Sequence, residues 1–350
     1  MSRHFTRSKA FVRLSAVAAA AALVLAGCAT DATDDASTPA PGGDAPAETI
    51  RVGYAGPTLN NAFFVGLQQG VRQGAEAQGF ELVETNANGD AQQQFNDAVN
   101  LLSQDIDALI LTPIDSQAIT PAVVQANEAG IPVFTLDRGS EGGDITSFVA
   151  SDNVAAGATA AEWIAEFLTE RYGEPRGNVV NLVGLIGTTA AADRDQGFKE
   201  ALAAYPDITI VAEQEGAFDQ ERSLNAMTNI LQVESEIDAV FGANDDNTIG
   251  AVRAIEGAGR LVPAGEPGHI AVIGIDGTAQ ALEAIRAGQQ TATIAQNPIR
   301  MAEQAMQFIA DHLAGEDVPE NFAWPTFLLT VDNISSPEAL EYGLWSEDVE

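Results

Sequence analysis

Residues 50–84 read IRVGYAGPTLNNAFFVGLQQGVRQGAEAQGFELVE, and the fold is decided by how this stretch is parsed. Ile50–Ala55 is strand-like. From Asn60 to Gln78 the large apolar residues recur at Phe64, Leu67 and Val71, a helical spacing that Gly79 brings to an end. Glu81–Glu84 then resumes an extended pattern. A strand, a helix of this length and a second strand make one crossover of a parallel sheet.

The same alternation continues along the chain. Further strands are predicted at Ala108–Leu111, Pro132–Leu136 and Ser147–Ala150. A second series follows at Asn178–Val183, Ile208–Ala212, Ala239–Phe241, Ile270–Ile275, Thr291–Ala295 and Thr326–Val331. Helical stretches lie between them, at Gln117–Ala129, Ala155–Arg171, Gln196–Ala204, Gln220–Gln232, Ile249–Gly257 and Thr278–Ala287. About eleven strands suit two sheets better than one. The predicted class is α/β, with two doubly wound parallel-sheet lobes.

The ends carry different information. Arg3, Arg7, Lys9 and Arg13 form a basic leader, and no acidic residue precedes Asp31. Leu14–Gly27 is almost wholly apolar, too short for a lasting membrane span but suited to the core of a signal peptide. It closes on Leu25-Ala26-Gly27-Cys28, which resembles a bacterial lipobox. Residues 1–27 are therefore read as a signal peptide and Cys28 as the site of lipid attachment. This places the protein outside the cytoplasm, anchored to the outer face of the bacterial cell membrane. Cys28 is the only cysteine, so no internal disulfide is expected. Residues 28–48 hold almost no large apolar side chain and read as a flexible tether.

Once the four leader cations are gone, 12 Lys+Arg face 50 Asp+Glu, a formal charge of −38. A chain this acidic is repelled by phosphate backbones, which argues against nucleic acid as a partner. The charge otherwise reads as a solubility feature.

In open parallel sheets, ligands bind beyond the carboxyl ends of the strands. The first strand is followed by Asn61, Phe63 and Phe64, and the fourth by Asp137 and Arg138. In the second series the corresponding positions hold Arg194, Phe218, Asn244, Asp276 and Gln296. Aromatic faces and planar polar groups suit the C–H faces and vicinal hydroxyls of a polyol. Each residue also has a plainer reading. Phe64 shares the helix stripe of Leu67 and Val71 and fits a core as well as a cleft, whereas Phe63 lies off that stripe. Asp137-Arg138 fits a surface ion pair, Asn244 a helix cap, Asp276-Gly277 a turn, and Gln296 a loop.

Catalytic patterns are missing from the sequence. Gly184–Gly187 lacks a dinucleotide fingerprint, and there is no Walker Gly-Lys-Ser/Thr and no GxSxG elbow. After processing, only His269 and His312 remain, and Asp245-Asp246 does not sit in an EF-hand pattern. The chain is read as a non-enzyme with no metal and no cofactor.

Several segments, taken in order, carry a family resemblance: TLNNAFFV (58–65), TLDR (135–138), ASDNV (150–154), GTTAAADRDQGF (187–198) and AFD (217–219). They continue with VF (240–241), ND (244–245), GIDGT (274–278) and ATIAQ (292–296). With these the chain resembles the periplasmic sugar-binding proteins of ABC importers, type I, in their ribose-binding branch. The likeness runs from about residue 50 to 296 and more weakly to about 331.

It implies two lobes joined by a three-crossing hinge: residues 49–151 plus 297–324 in lobe 1, and 152–296 plus 325–350 in lobe 2. The crossings would lie at Ser151–Asp152, at Gln296–Asn297 and near Ala323–Thr326. The resemblance also implies that Phe63 and Phe64 cover one face of a sugar ring and Phe218 the other. Asn61, Asp137 and Arg138 would reach hydroxyls from lobe 1. Arg194, Asn244, Asp276 and Gln296 would reach them from lobe 2 and the hinge.

The implied partners are a monosaccharide, D-ribose foremost, and an ABC permease, served by a monomer. Another pentose, a hexose, a polyol or a furanose signalling molecule would fit the same frame, as would a sensor role. A gene regulator shares the two-lobed core, but the export signal and the missing helix-turn-helix oppose it. Two positions depart from the family pattern: Ala62 stands where proline is usual, and Ala192 where arginine is frequent. The tail beyond Val331, with Trp345, has no counterpart the family needs.

Overall fold

The computed structural model describes residues 49–337 and 339. The leader, Cys28, the tether and Trp345 lie outside them. In chain order the elements are β1 (Arg51–Gly56), α1 (Ala62–Gln78), β2 (Glu81–Asn86), α2 (Ala91–Leu102), β3 (Ala108–Leu111), α3 (Thr120–Glu128), β4 (Val133–Leu136) and β5 (Ser147–Ser151). They continue with α4 (Asn153–Tyr172), β6 (Gly177–Val183), α5 (Thr189–Leu202), β7 (Ile208–Glu215), α6 (Gln220–Val233), β8 (Ala239–Gly242), α7 (Asp245–Gly257) and β9 (Ala271–Asp276). The last are α8 (Ala279–Arg286), β10 (Ala292–Ala295), α9 (Pro298–Leu313), β11 (Asn321–Trp324) and β12 (Phe327–Thr330).

Two six-stranded sheets result, ordered β11-β5-β4-β3-β1-β2 and β12-β10-β9-β8-β6-β7. The first is parallel throughout; in the second, β12 runs antiparallel to β10. Each sheet is buried on both faces. Val52, Tyr54, Ile110 and Phe134 pack under α1 and α9, while Leu109, Leu111 and Val133 pack under α2 and α3. Such double burial explains why β3 and β4 are short unbroken apolar runs, without the alternation of a half-exposed strand.

The chain passes between the sheets three times: from β5 into α4, from β10 into α9, and from β11 into β12. Helix α9 returns to the first sheet because its apolar stripe of Met301, Ala302, Ala305, Met306 and Ile309 seats on α1. Gly70 and Gly74 let the two helices touch there. A Cβ on Gly70 would lie 2.3 Å from the Ile299 carbonyl oxygen.

Boundaries follow local chemistry. Asn61 caps α1 by accepting the Phe63 N–H, and Gly79, at φ 72°, ends it in the left-handed conformation that glycine tolerates. Helix α5 starts seven residues before the predicted Gln196 and α7 four before Ile249, each where a side chain (Thr188, Asn244) caps the first turn. Those first turns are alanine-rich or acidic, so no apolar period announces them.

The segment after β12 seals the second sheet. Ile334 and Ala339 pack with Leu282, Ile285 and Leu329. Ile334→Ala is expected to cost about 2 kcal/mol, read as a lower urea midpoint at unchanged slope. A variant as stable as the parent would show that the tail merely rests on α8.

Candidate functional site

The carboxyl ends of the strands in both sheets face one another across a narrow cleft of about 270 Å³, open solvent included. Its walls are Asn61, Phe63, Phe64, Asp137, Arg138, Arg194, Phe218, Asn244, Asp276 and Gln296, with Ala190 as an eleventh residue. All ten residues singled out in the sequence therefore meet in one place. A wider mouth lined by Thr58, Asn60, Asn88, Asp219 and Arg253 opens beside it, sharing Asn61, Phe64, Arg138 and Phe218 with the inner wall.

The plainer readings of these residues are partly true as well. Phe63 and Phe64, edge-to-face at 5.7 Å between centroids, belong to the first-sheet core and also line the cavity. Asn244 caps α7 through its Oδ1 and donates from Nδ2 to Asp276 at 3.2 Å. Asp137 and Arg138 are not a surface pair: both are buried, with Nε 3.6 Å from the carboxylate. A buried ion pair is a costly arrangement for stability alone. Gln296 is buried at the end of β10 and donates to Asp276 at 2.6 Å.

Strain gathers here too. Asp137 (φ 66°), Phe218 (φ 59°) and Asp276 (φ 138°) are three of the six described non-glycine residues with positive φ. Each holds a conformation costing of order 1 kcal/mol or more, which surrounding structure must enforce. Such outliers concentrate where side-chain aim matters more than backbone comfort.

Two carboxylates, Asp137 and Asp276, face two guanidinium groups, Arg138 and Arg194, so the cavity is balanced in charge. Arg194 Nη1 lies 3.9 Å from Asp276. Its Nε donates to Asn153 Oδ1 and its Nη1 to the Ala243 carbonyl oxygen, each at 2.7 Å. The guanidinium groups also lie over rings. Arg138 is 4.9 Å from the Phe64 centroid and 5.3 Å from that of Phe218, and Arg194 is 5.7 Å from Phe218. Arg138 Nε and Gln296 Oε1 are buried and form no hydrogen bond among the described residues. Buried polar atoms in that condition call for a polar partner.

Burial raises the carboxyls of Asp137 and Asp276, the latter well above the ordinary range, and outweighs the nearby guanidinium groups. Burial also pushes Asp245 up to about 6. That carboxylate accepts from the Gly277 and Thr278 N–H groups and from the hydroxyls of Thr278 and Thr293, yet desolvation still prevails. A carboxyl whose folded pKa is raised stabilises the fold below its unfolded value, and that contribution is lost as pH rises through the folded value. Asp137, Asp246 and Asp276 act in the same direction. His269, lowered by burial, opposes them, because its contribution is lost as pH falls below its unfolded value. The melting temperature is expected to fall from about pH 4 to about pH 7, with Asp245 accounting for up to about 3 kcal/mol. Calorimetric melts of the parent and Asp245→Asn would test this. The variant should flatten the curve, and a parent curve that rises with pH would refute the assignment.

Sequence reasoning missed Ala190, whose single methyl carries no chemistry to flag it, although it lies inside the GTTAAADRDQGF segment. Asn153 and the Ala243 carbonyl, which aim Arg194, were equally invisible. Among the described residues no group of histidine, cysteine or carboxylate side chains is arranged to hold a metal ion.

A family model described as the periplasmic binding protein domain matches residues 52–317. The ribose import binding protein of Bacillus subtilis is 36% identical over 279 residues, covering 80% of this chain and 87% of that one. The xylitol-binding protein of Mycolicibacterium smegmatis is 31% identical over 324 residues, covering 92% and 86%. A crystal structure of an ABC transporter periplasmic solute binding protein from Actinobacillus succinogenes with bound D-allose is 30% identical. It superposes with a TM-score of 0.72 over 81% of this chain and 98% of that one. No described helix is long and apolar enough to cross a membrane. The relatives are binding proteins of ABC transporters and not enzymes, and this chain belongs with them, in the sugar-binding part of the periplasmic binding protein family.

Proposed function

We propose that the protein captures a monosaccharide, D-ribose foremost, between two lobes and delivers it to an ABC permease. One observation carries this reading: three phenylalanines and a charge-balanced set of two carboxylates, two guanidinium groups and three amides converge on one cleft from both sheets. Charge balance favours a neutral ligand. Carboxylates accept from hydroxyls and guanidinium groups donate to them, so vicinal diols are served in pairs. Phe63 and Phe64 would cover one face of the ring and Phe218 the other. Asp137 and Arg138 act from the first lobe, and Arg194, Asn244, Asp276 and Gln296 from the second lobe and the hinge.

The lobes would be residues 49–151 plus 297–324 and 152–296 plus 325–350, of which 338 and 340–350 lie outside the described residues, and they would close about the three crossings. A ligand favours closure only because it touches both lobes at once. Lipid attachment at Cys28 and the 28–48 tether would keep the receptor near its permease, which raises its effective concentration there.

D-Ribose is placed first because the relative at 36% identity is a ribose import binding protein. A related polyol or hexose is the second reading, favoured by the xylitol-binding relative and the D-allose complex. Calorimetric titration of the mature protein with D-ribose, D-allose, xylitol and myo-inositol tests both. D-Ribose should bind most tightly and be recovered unchanged. A stronger response to another sugar would replace the ligand, and turnover would overthrow the receptor reading.

A further inference from the structure

Asp245, the first residue of α7, is buried and does not line the cleft, yet it is tied to the segments that do. Its Oδ2 accepts the Gly277 N–H at 2.9 Å, the Thr278 N–H at 2.8 Å and the Thr278 hydroxyl at 3.0 Å. Its Oδ1 accepts the Thr293 hydroxyl at 2.7 Å. Gly277 and Thr278 follow Asp276 in the turn between β9 and α8, and Thr293 lies on β10, which delivers Gln296. Thr278 carries the constraint onward, because its hydroxyl oxygen accepts the Ala281 N–H and caps α8. One acceptor-only side chain therefore fixes both chain segments that bring Asp276 and Gln296 to the cleft.

Asp276 needs such a hold. At φ 138° it occupies backbone space that a side-chain-bearing residue adopts only when its surroundings enforce it. For stability alone, a hydroxyl or an amide would serve the turn with less desolvation than a carboxylate. We propose that Asp245 is a positioning residue: by holding the Gly277 and Thr278 N–H groups it enforces the turn that aims the Asp276 carboxylate into the cleft. It touches no ligand. Its effect on binding, which rests on the monosaccharide reading above, is exerted through Asp276.

Two backgrounds separate positioning from general support of the fold. In the parent, Asp245→Ala should weaken binding of the tightest-held of the four sugars about tenfold in calorimetric titration. In an Asp276→Asn protein the same change should weaken it less than about threefold, because the group it aims is already altered. Asp245→Asn should stay within about threefold of the parent, since one carbonyl oxygen can still accept both N–H groups. Equal losses in the two backgrounds, or an asparagine variant as weak as the alanine one, would overturn the proposal. If the parent binds none of the sugars, the capture reading fails on its own account, and amide hydrogen exchange decides the positioning. Faster exchange at Gly277 and Thr278 in Asp245→Ala, with the β8 amides unchanged, supports it. Unchanged exchange at those two amides overturns it.

Discussion

Arg194→Ala is expected to weaken monosaccharide binding by at least about a hundredfold while the protein stays folded. The guanidinium is 3% exposed and divided among three tasks. It is anchored by Asn153 Oδ1 and the Ala243 carbonyl, it lies 3.9 Å from Asp276, and it faces the Phe218 ring. Truncation removes the donor and also strands Asp276. That carboxyl, already raised by burial, loses the cation that lowers it. It then takes up a proton and ceases to be the acceptor a hydroxyl needs. Both halves of one recognition pair fail together, which is why the loss should exceed that of a single hydrogen bond. Arg194→Lys should recover less than about tenfold, since one ammonium cannot reproduce a planar fork held at two carbonyl-type acceptors. Calorimetry reads the affinity and circular dichroism checks the fold. Unaltered affinity in Arg194→Ala would mean the ligand sits elsewhere.

The strands around this site were legible for a physical reason. β3 is fully buried at all four positions, so the run Ala108–Leu111 marked its own limits. The edge strands were less distinct. β7 extends to Glu215 with a half-polar sequence, and β11, which alternates exposed and half-buried residues on an edge, was not read at all. Helix α2 escaped for a related reason: of its twelve residues only Gln94, Ala98 and Leu101 are buried, and the glutamine breaks the apolar stripe. Gln94 is buried because its amide donates to the Ala55 and Thr112 carbonyls and accepts the Ile114 N–H, a loop-fixing role no periodicity signals. Asn297-Pro298, which read as hinge or loop, is the cap and first turn of α9.

The candidate site was legible through topology more than through any one residue. Strand ends must converge in a doubly wound sheet, so residues hundreds of positions apart could be grouped before their distances were known. What topology could not convey is how each side chain is shared. The bond from Asn61 to Asp246 spans 185 residues and two lobes. Nothing in the local sequence of either residue points to the other. The ion pairing of Asp276 likewise depends on Arg194 being held from behind by Asn153 and Ala243.

That support from behind makes Gly197→Ala the variant with the largest expected effect on stability. Alanine is the better helix former, and at an open helical glycine the exchange should gain up to about 1 kcal/mol. Gly197 is not open. An added Cβ would lie 2.0 Å from the Val154 carbonyl oxygen, where ordinary contact begins near 3.4 Å. Gly157 on the facing helix is in the same position, its Cβ 2.1 Å from the Arg194 carbonyl oxygen. Helices α4 and α5 therefore meet backbone to backbone through two glycines, and neither obstructing atom belongs to a side chain that can rotate away. Relief requires α5 to move by about 1 Å, which opens the packing of Ala160, Phe198 and Leu202 beneath it. A loss of about 3 kcal/mol is expected, opposite in sign to propensity. Gly257, in the last turn of α7 with nothing within 4 Å of its Cβ, supplies the control. Gly257→Ala should be neutral or slightly stabilising in the same urea titration. Binding should fall along with stability in Gly197→Ala, because Arg194 sits one turn earlier on the displaced helix. A Gly197→Ala protein as stable as the parent would show that α5 can shift freely, and Arg194 would then lack the rigid support on which its aim depends.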